Sequence, residues 1–276
     1  MSTTNLQYKI IHPVKYYRDY VSNDIRPDGR GHDQFRPAIL NVSSIGTADG
    51  SAIVKIGNTT VVCGIKAELA KPKASEPENG FVVPNIELSP LCSPKFRPGA
   101  PTEEAQVCAK ALADLIENSR CLKLSDLCVA KEKLVWSLYC DLVCFDHDGC
   151  VLDAAIIALV AALKTLKLPM VEYDYDTNLY KVNEDVKNYI SVRTLPVASS
   201  FMIFDDNIII TDPNAEEEDL STGTVTIAVC DGEICLIHKP GGSPLTPAQL
   251  ESCLVQALKR EKSIQSLFNS VVEKNK

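Results

Sequence analysis

Residues 153 to 166 read DAAIIALVAALKTL, and a helix built from them is apolar on almost every side. Such a helix is buried rather than laid on a surface. The run before it, LVWSLYCDLVCF at 134–145, is too apolar for a surface strand and suits the middle of a sheet. DHDGC (146–150) joins the two, an Asp-Gly turn leading from strand to helix. A helix N-terminus offers free backbone N–H groups and a positive dipole end, a ready place for a phosphate. The residues that follow the glycine are Cys150, Val151, Leu152 and Asp153, which raises the question whether such a site is still there.

The rest of the chain supplies strands and three more helices. PVKYYRDYV (13–21) reads as a short amphipathic helix and RPDGR (26–30) as a turn. AILNVSSI, SAIVKI and TTVVCGIKAEL are β-rich, punctuated by ADG and GN. FVVPNIEL (81–88) is a strand that Pro84 restricts to an edge or a bulge. SPKFRPGAP (93–101) is a Pro/Gly loop, and Thr102 caps the helix that follows, with Glu103 and Glu104 in its first turn. That helix is expected to pack one face carrying Ala105, Val107, Cys108, Ala111, Leu112, Leu115 and Ile116. YISVRTLPVA, SFMIFD, NIIITD, GTVTIAVC and EICLIHK read as further strands. Thr246, Pro247 and Gln249 form a capping box that opens a long C-terminal helix. The order of elements is α+β, with mixed sheets packed on buried helices. The expected division is an N-terminal helical extension, 1–25, and one domain, 26–276.

Several function classes are disfavoured. The net charge of −8 argues against a free-standing nucleic-acid binder. The eleven cysteines include no C-x-x-C pair, and none of the four histidines sits at finger spacing from a cysteine. Buried reduced thiols are expected, with no metal and no cofactor. No window is long and apolar enough for a membrane helix, and the start of the chain lacks a signal-peptide pattern, so a soluble, non-secreted protein is expected.

Four blocks in order resemble the RNase PH family of phosphorolytic exoribonucleases. They are RPDGR (26–30), ADGSAIVKIGNTTVVCGIKAEL (48–69), DHDGCVLDAAIIALVAALKTLKLPM (146–170) and the acidic turn before GTVTIAVCDG (223–232). The resemblance covers about residues 20 to 260 and implies an RNase PH-like fold. VVPNIELSPLCSPKFRPGAPTEEAQV and VLDAA are similar to the exosome-ring branch that lacks its own active site.

Phosphorolysis needs a phosphate cradle and a carboxylate-held divalent metal to offset developing charge. Active members of the family carry a glycine and hydroxyl or basic residues after Asp-Gly, where this chain has Cys150, Val151, Leu152 and Asp153. Valine and leucine bring no donor. A carboxylate about 4 Å from one phosphate charge costs roughly 1 kcal/mol in water and about 4 at an effective dielectric of 20. The helix terminus returns only about 0.3–2 kcal/mol. Asp153 is therefore expected to repel phosphate and to serve as a first-turn residue complementing the dipole. The resemblance places the family's two metal-site aspartates and lysine at Glu218, Thr224 and Thr226, a thin set for Mg²⁺. EEED (216–219) reads as a solvated turn, and Arg26 and Arg30 as structural, paired with nearby acids.

The expected function is a non-catalytic subunit of the exosome ring, lining the channel that threads single-stranded RNA to a nuclease elsewhere for 3′–5′ processing, rRNA included, and degradation. Partners implied are other RNase PH-like ring subunits, S1/KH cap subunits and an associated exoribonuclease, with no membrane. The resemblance implies cytoplasm and nucleus, including the nucleolus. The alternative is a phosphorolytic exoribonuclease active only through a composite site with a partner; a third reading is an assembly protein that never touches RNA. For RNA contact the candidates are Lys95 and Arg97, with Phe96 available to stack on a base.

Overall fold

The computed structural model describes residues 3–272. Two helices come first, α1 (Thr3–Ile11) and α2 (Pro13–Val21), followed by strands β1 (Ala38–Val42), β2 (Gly50–Ile56), β3 (Thr59–Ala70) and β4 (Phe81–Leu88). Then come α3 (Glu103–Ser119), a 3-10 turn, β5 (Cys128–Ala130), β6 (Leu134–Asp146) and α4 (Val151–Thr165). The second half holds β7 (Lys167–Asp174), β8 (Leu179–Tyr189), β9 (Val197–Phe204), β10 (Ile208–Thr211), α5 (Ala215–Asp219), β11 (Gly223–Cys230), β12 (Glu233–His238) and α6 (Pro247–Val272). This is the α+β order that the sequence implies.

The first sheet runs β1-β2-β3-β6-β4, with β5 pairing β6; β4 alone is parallel to its neighbour. β6 is central, and β4 with its Pro84 is an edge strand, as the sequence implies. Gly57 and Asn58 make the two-residue turn between β2 and β3, with Gly57 at φ +57°. The second sheet runs β10-β9-β11-β12, all antiparallel.

α4 lies between the two sheets, against β2 and β3 on one side and β9 on the other. Every residue from Val151 to Leu163 is buried, because every side of the helix meets a packed layer. Gly50 permits the closeness of β2: a Cβ there would stand 2.7 Å from the Ala162 carbonyl oxygen. On the far side of the second sheet, Phe201, Val225, Ile227 and Val229 pack with Cys253 and Ala257 of α6. Tyr16, Tyr17 and Val21 of α2 join Met202, Phe204 and Ile210, so the N-terminal helices lie against β9 and β10.

Two expectations are corrected. YISVRTLPVA is not one strand, because β8 ends at Tyr189 and β9 begins at Val197. β7 and β8 form a separate two-stranded ribbon, whose second strand is exposed at every residue. In α3, Val107 faces out at 45% exposure, while Ala105, Ala111, Leu112, Leu115 and Ile116 form the buried face. The eleven cysteines are all free and none is exposed, in line with small buried hydrophobes.

Candidate functional site

The entrance of α4 is built by two left-handed residues. Gly149 has φ +76°, and a Cβ on it would stand 2.5 Å from the Pro213 carbonyl oxygen. Only glycine allows the strand-to-helix turn to lie this close to the loop before α5. Cys150 follows at φ +51°, its thiol donating to the same Pro213 oxygen at 3.3 Å. Burial pushes that thiol's pKa well up, so Cys150 is packing and not a nucleophile.

Glu218 occupies the anion position. The Cys150 N–H at the mouth of the helix donates to Glu218 Oε1 at 2.7 Å. Burial raises the Glu218 carboxyl above its ordinary range, opposed by the Cys150 N–H and by His147. The acidic run is therefore not the solvated turn that its composition suggests. It is the short helix α5, capped by Asn214, whose side chain accepts from the Glu217 N–H at 2.9 Å while the Asn214 N–H donates back to Glu217 at 2.9 Å. Glu217 is fully buried, and its partner is Arg26.

Three arginines are consumed in holding the same segment. Arg26 bonds Glu217 through Nε at 3.0 Å and the carbonyls of Thr211 and Asp212 at 2.8 and 3.0 Å. Arg30 reaches Asp28 at 2.6 Å and the Asp212 carbonyl at 3.0 Å. Arg36, which sequence reasoning missed, pairs with Asp212 at 2.7 Å and also donates to the Pro213 carbonyl at 3.2 Å. The Arg36 guanidinium, with its backbone N–H, holds the Asp212 carboxyl below its usual range against the opposing effect of burial. Arg26 and Arg36 are fully taken up in this way, while Arg30 keeps a buried Nη2 with no hydrogen-bond partner among the described residues, 4.0 Å from Glu217.

Asp153 departs from its expected role. Its carboxylate turns to the second sheet and accepts from both the N–H and the hydroxyl of Ser200. Burial pushes its pKa up to about 7, so near neutral pH its charge is partly titrated away. Repulsion by Asp153 is thus a smaller obstacle to phosphate than the Glu218 carboxylate already seated on the helix. Thr226 joins the Asp153 network, its Oγ1 standing 2.8 Å from Ser200 Oγ. Glu218 and Thr226 therefore enter separate networks, and Thr224 lies half-buried on β11. Val151 and Leu152 point into the core at 5% and 7% exposure.

The loop 93–101 meets this entrance from the other side. His147 Nε2 stands 3.6 Å from Glu104 Oε1, and Lys95 Nζ 3.4 Å from Glu104 Oε2. Burial lowers the His147 pKa, but Glu104 and Glu218 outweigh it and hold the imidazole above its ordinary value. Phe96 is 5% exposed, its ring edge-on to His147 at 5.4 Å, so it is not offered to a base as the sequence reading allowed. Lys95 is half exposed and already paired. Arg97 is exposed and makes no ion pair among the described residues; it lines a cavity of 210 Å³ with Asn85, Glu87, Ser89 and Thr102.

Comparison with known proteins agrees with this geometry. Residues 34–169 match domain 1 of the 3′ exoribonuclease family, RNase PH, and residues 194–260 match its domain 2. The chain is 40% identical to the exosome complex component rrp43 of Schizosaccharomyces pombe, over 92% of this chain and 94% of that protein. It is 34% identical to the exosome complex component Rrp42 of Pyrococcus furiosus, over 93% and 94% of the two chains. Among solved structures it is similar to a chain of the Archaeoglobus fulgidus exosome with RNA bound to the active site. The TM-score there is 0.83 at 31% identity, covering 92% of this chain and 97% of that one. A chain of an archaeal exosome core gives a TM-score of 0.80 at 27% identity, covering 97% and 100%.

Proposed function

The chain belongs to the RNase PH family of 3′ exoribonucleases, and from that premise we propose that it is a non-catalytic member of it. It is a subunit of the RNA exosome ring, assembled with other RNase PH-like chains around a path for single-stranded RNA. S1/KH cap subunits and a separate exoribonuclease complete the assembly. The expected compartments are the cytoplasm and the nucleus, including the nucleolus, a reading that rests on the family alone and that tagging of the chain checks.

One observation carries the non-catalytic reading: the bond of 2.7 Å from the Cys150 N–H to Glu218. A phosphate arriving at the helix would have to displace a half-buried carboxylate that already uses the Cys150 N–H. Arg26 and Arg36 cannot compensate, because each is bonded to the segment 211–217, and Arg30 is held by Asp28 and the Asp212 carbonyl. The contribution to RNA is then electrostatic and comes from the loop 93–101, chiefly from Arg97.

The test is direct. The purified chain, given single-stranded RNA, inorganic phosphate and Mg²⁺, should release no nucleoside diphosphates. Turnover that disappears in Glu218→Ala would overturn the reading and place an active site in the chain itself.

A further inference from the structure

α3 has 17 residues, so its two ends are separated by roughly 25 Å. The loop with Arg97 meets one end. At the other lies a groove of 620 Å³ that plays no part in the site above. Its floor is apolar, with Phe81, Ile116 and Leu122. Its rim carries four basic side chains, Lys73, Arg120, Lys123 and Arg193, against two acidic ones, Glu76 and Glu117, in a chain whose net charge is −8.

The cations are unevenly used. Lys73 lies over the Phe81 ring at 5.7 Å, and Arg193 stands 3.7 Å from Asp126. Arg120 and Lys123 are exposed, and neither side chain has an ion pair or hydrogen bond among the described residues. Arg120 also sits at φ +49° as the C-cap of α3, where glycine is the cheaper residue. The helix dipole favours a cation there, which explains the charge but not the groove beside it. One wall is the start of β4, an edge strand that among the described residues pairs only with β6.

We propose that this groove docks an extended acidic segment of a partner protein. Apolar side chains of the segment would fill the floor, and its carboxylates would meet Arg120 and Lys123, where charge complementarity selects the partner. RNA fits less well. A regular run of phosphates would meet Glu76 and Glu117 as well as the bases, and the aromatic ring present is covered by Lys73 rather than open for stacking. The docking role does not depend on whether the α4 entrance is catalytic.

The experiment uses the reconstituted complex and a fluorescein-labelled peptide of 8 residues, the length of β4, alternating Asp/Glu with Val/Leu. Anisotropy should rise saturably with the complex. Arg120→Glu with Lys123→Glu should weaken binding about tenfold, and the Gln pair should give an intermediate loss. Lys95→Glu with Arg97→Glu, at the far end of α3, should leave peptide affinity unchanged. Subunit stoichiometry is checked for each variant, and the exposed positions of Arg120 and Lys123 make folding defects avoidable. Equal affinity in wild type and in both groove variants overturns the proposal. So does an oligouridylate that displaces the peptide at lower concentration and itself loses binding in the groove variants, which would assign the groove to RNA.

Discussion

Ser200 gives both its N–H and its hydroxyl to the carboxylate of Asp153, each at 2.8 Å. The pair ties the central helix to the second sheet, and Thr226 extends it to the neighbouring strand. A carboxylate so deeply buried holds its proton to about pH 7.

That gives the stability of the protein a particular pH dependence. An unfolded aspartate loses its proton near pH ~3.9. Between there and about 7 the folded state binds the extra proton, so stability falls as pH rises through this window. Glu218 and His147, both raised, act in the same direction, His147 losing its contribution as pH passes its folded value. Thermal melts should therefore be highest on the acid side of neutrality and decline toward pH ~8. Asp153→Asn should flatten the decline, by an amount on the order of 1–3 kcal/mol. A variant whose pH profile matched wild type would contradict the burial argument.

Arg26 and Glu217 are both fully buried. Arg26→Ala removes the counter-charge of the buried Glu217 carboxylate and one donor each from the carbonyls of Thr211 and Asp212, and should cost about 3–5 kcal/mol in chemical denaturation. Arg26→Met combined with Glu217→Leu removes both charges and should cost clearly less than the single change.

Glu218→Ala frees the Cys150 N–H at the mouth of α4. The variant should lose about 1–3 kcal/mol for a buried donor without an acceptor. Inorganic phosphate should then raise its melting temperature more than that of wild type, since a ligand that binds the folded state alone stabilises it. Equal responses of the two proteins to phosphate would show that Glu218 is not what keeps the anion out.

Arg97 is the cation of loop 93–101 left free for RNA, whereas Lys95 is paired with Glu104. In RNA protection by the reconstituted complex, Arg97→Glu should lower the salt slope by about 0.7, the value for one contact to a single strand. Lys95→Glu should act mainly on the loop itself, because it sets two carboxylates side by side next to His147. Unchanged protection and slope in Arg97→Glu would withdraw the RNA role.

What the sequence settled by itself is local. The all-round apolar run became the buried α4, the apolar run before it the central β6, and Pro84 marked an edge strand. Gly57-Asn58 and the Thr246–Gln249 cap joined residues within three positions of one another, and each appears as the residue types dictate. The ribbon β7–β8 was not legible, because β8 is exposed at every residue and carries no buried stripe to set a period. The site was decided by tertiary structure. Glu217 and Glu218 belong to one acidic run, and composition alone sends such a run to solvent. Their partners lie far off in sequence: Arg26 is 191 residues from Glu217, and Cys150 is 68 from Glu218. Asp153 likewise found Ser200 at a separation of 47 rather than its own helix terminus. A buried charge is stable only where the fold brings it a donor, and no window of neighbouring residues contains that donor.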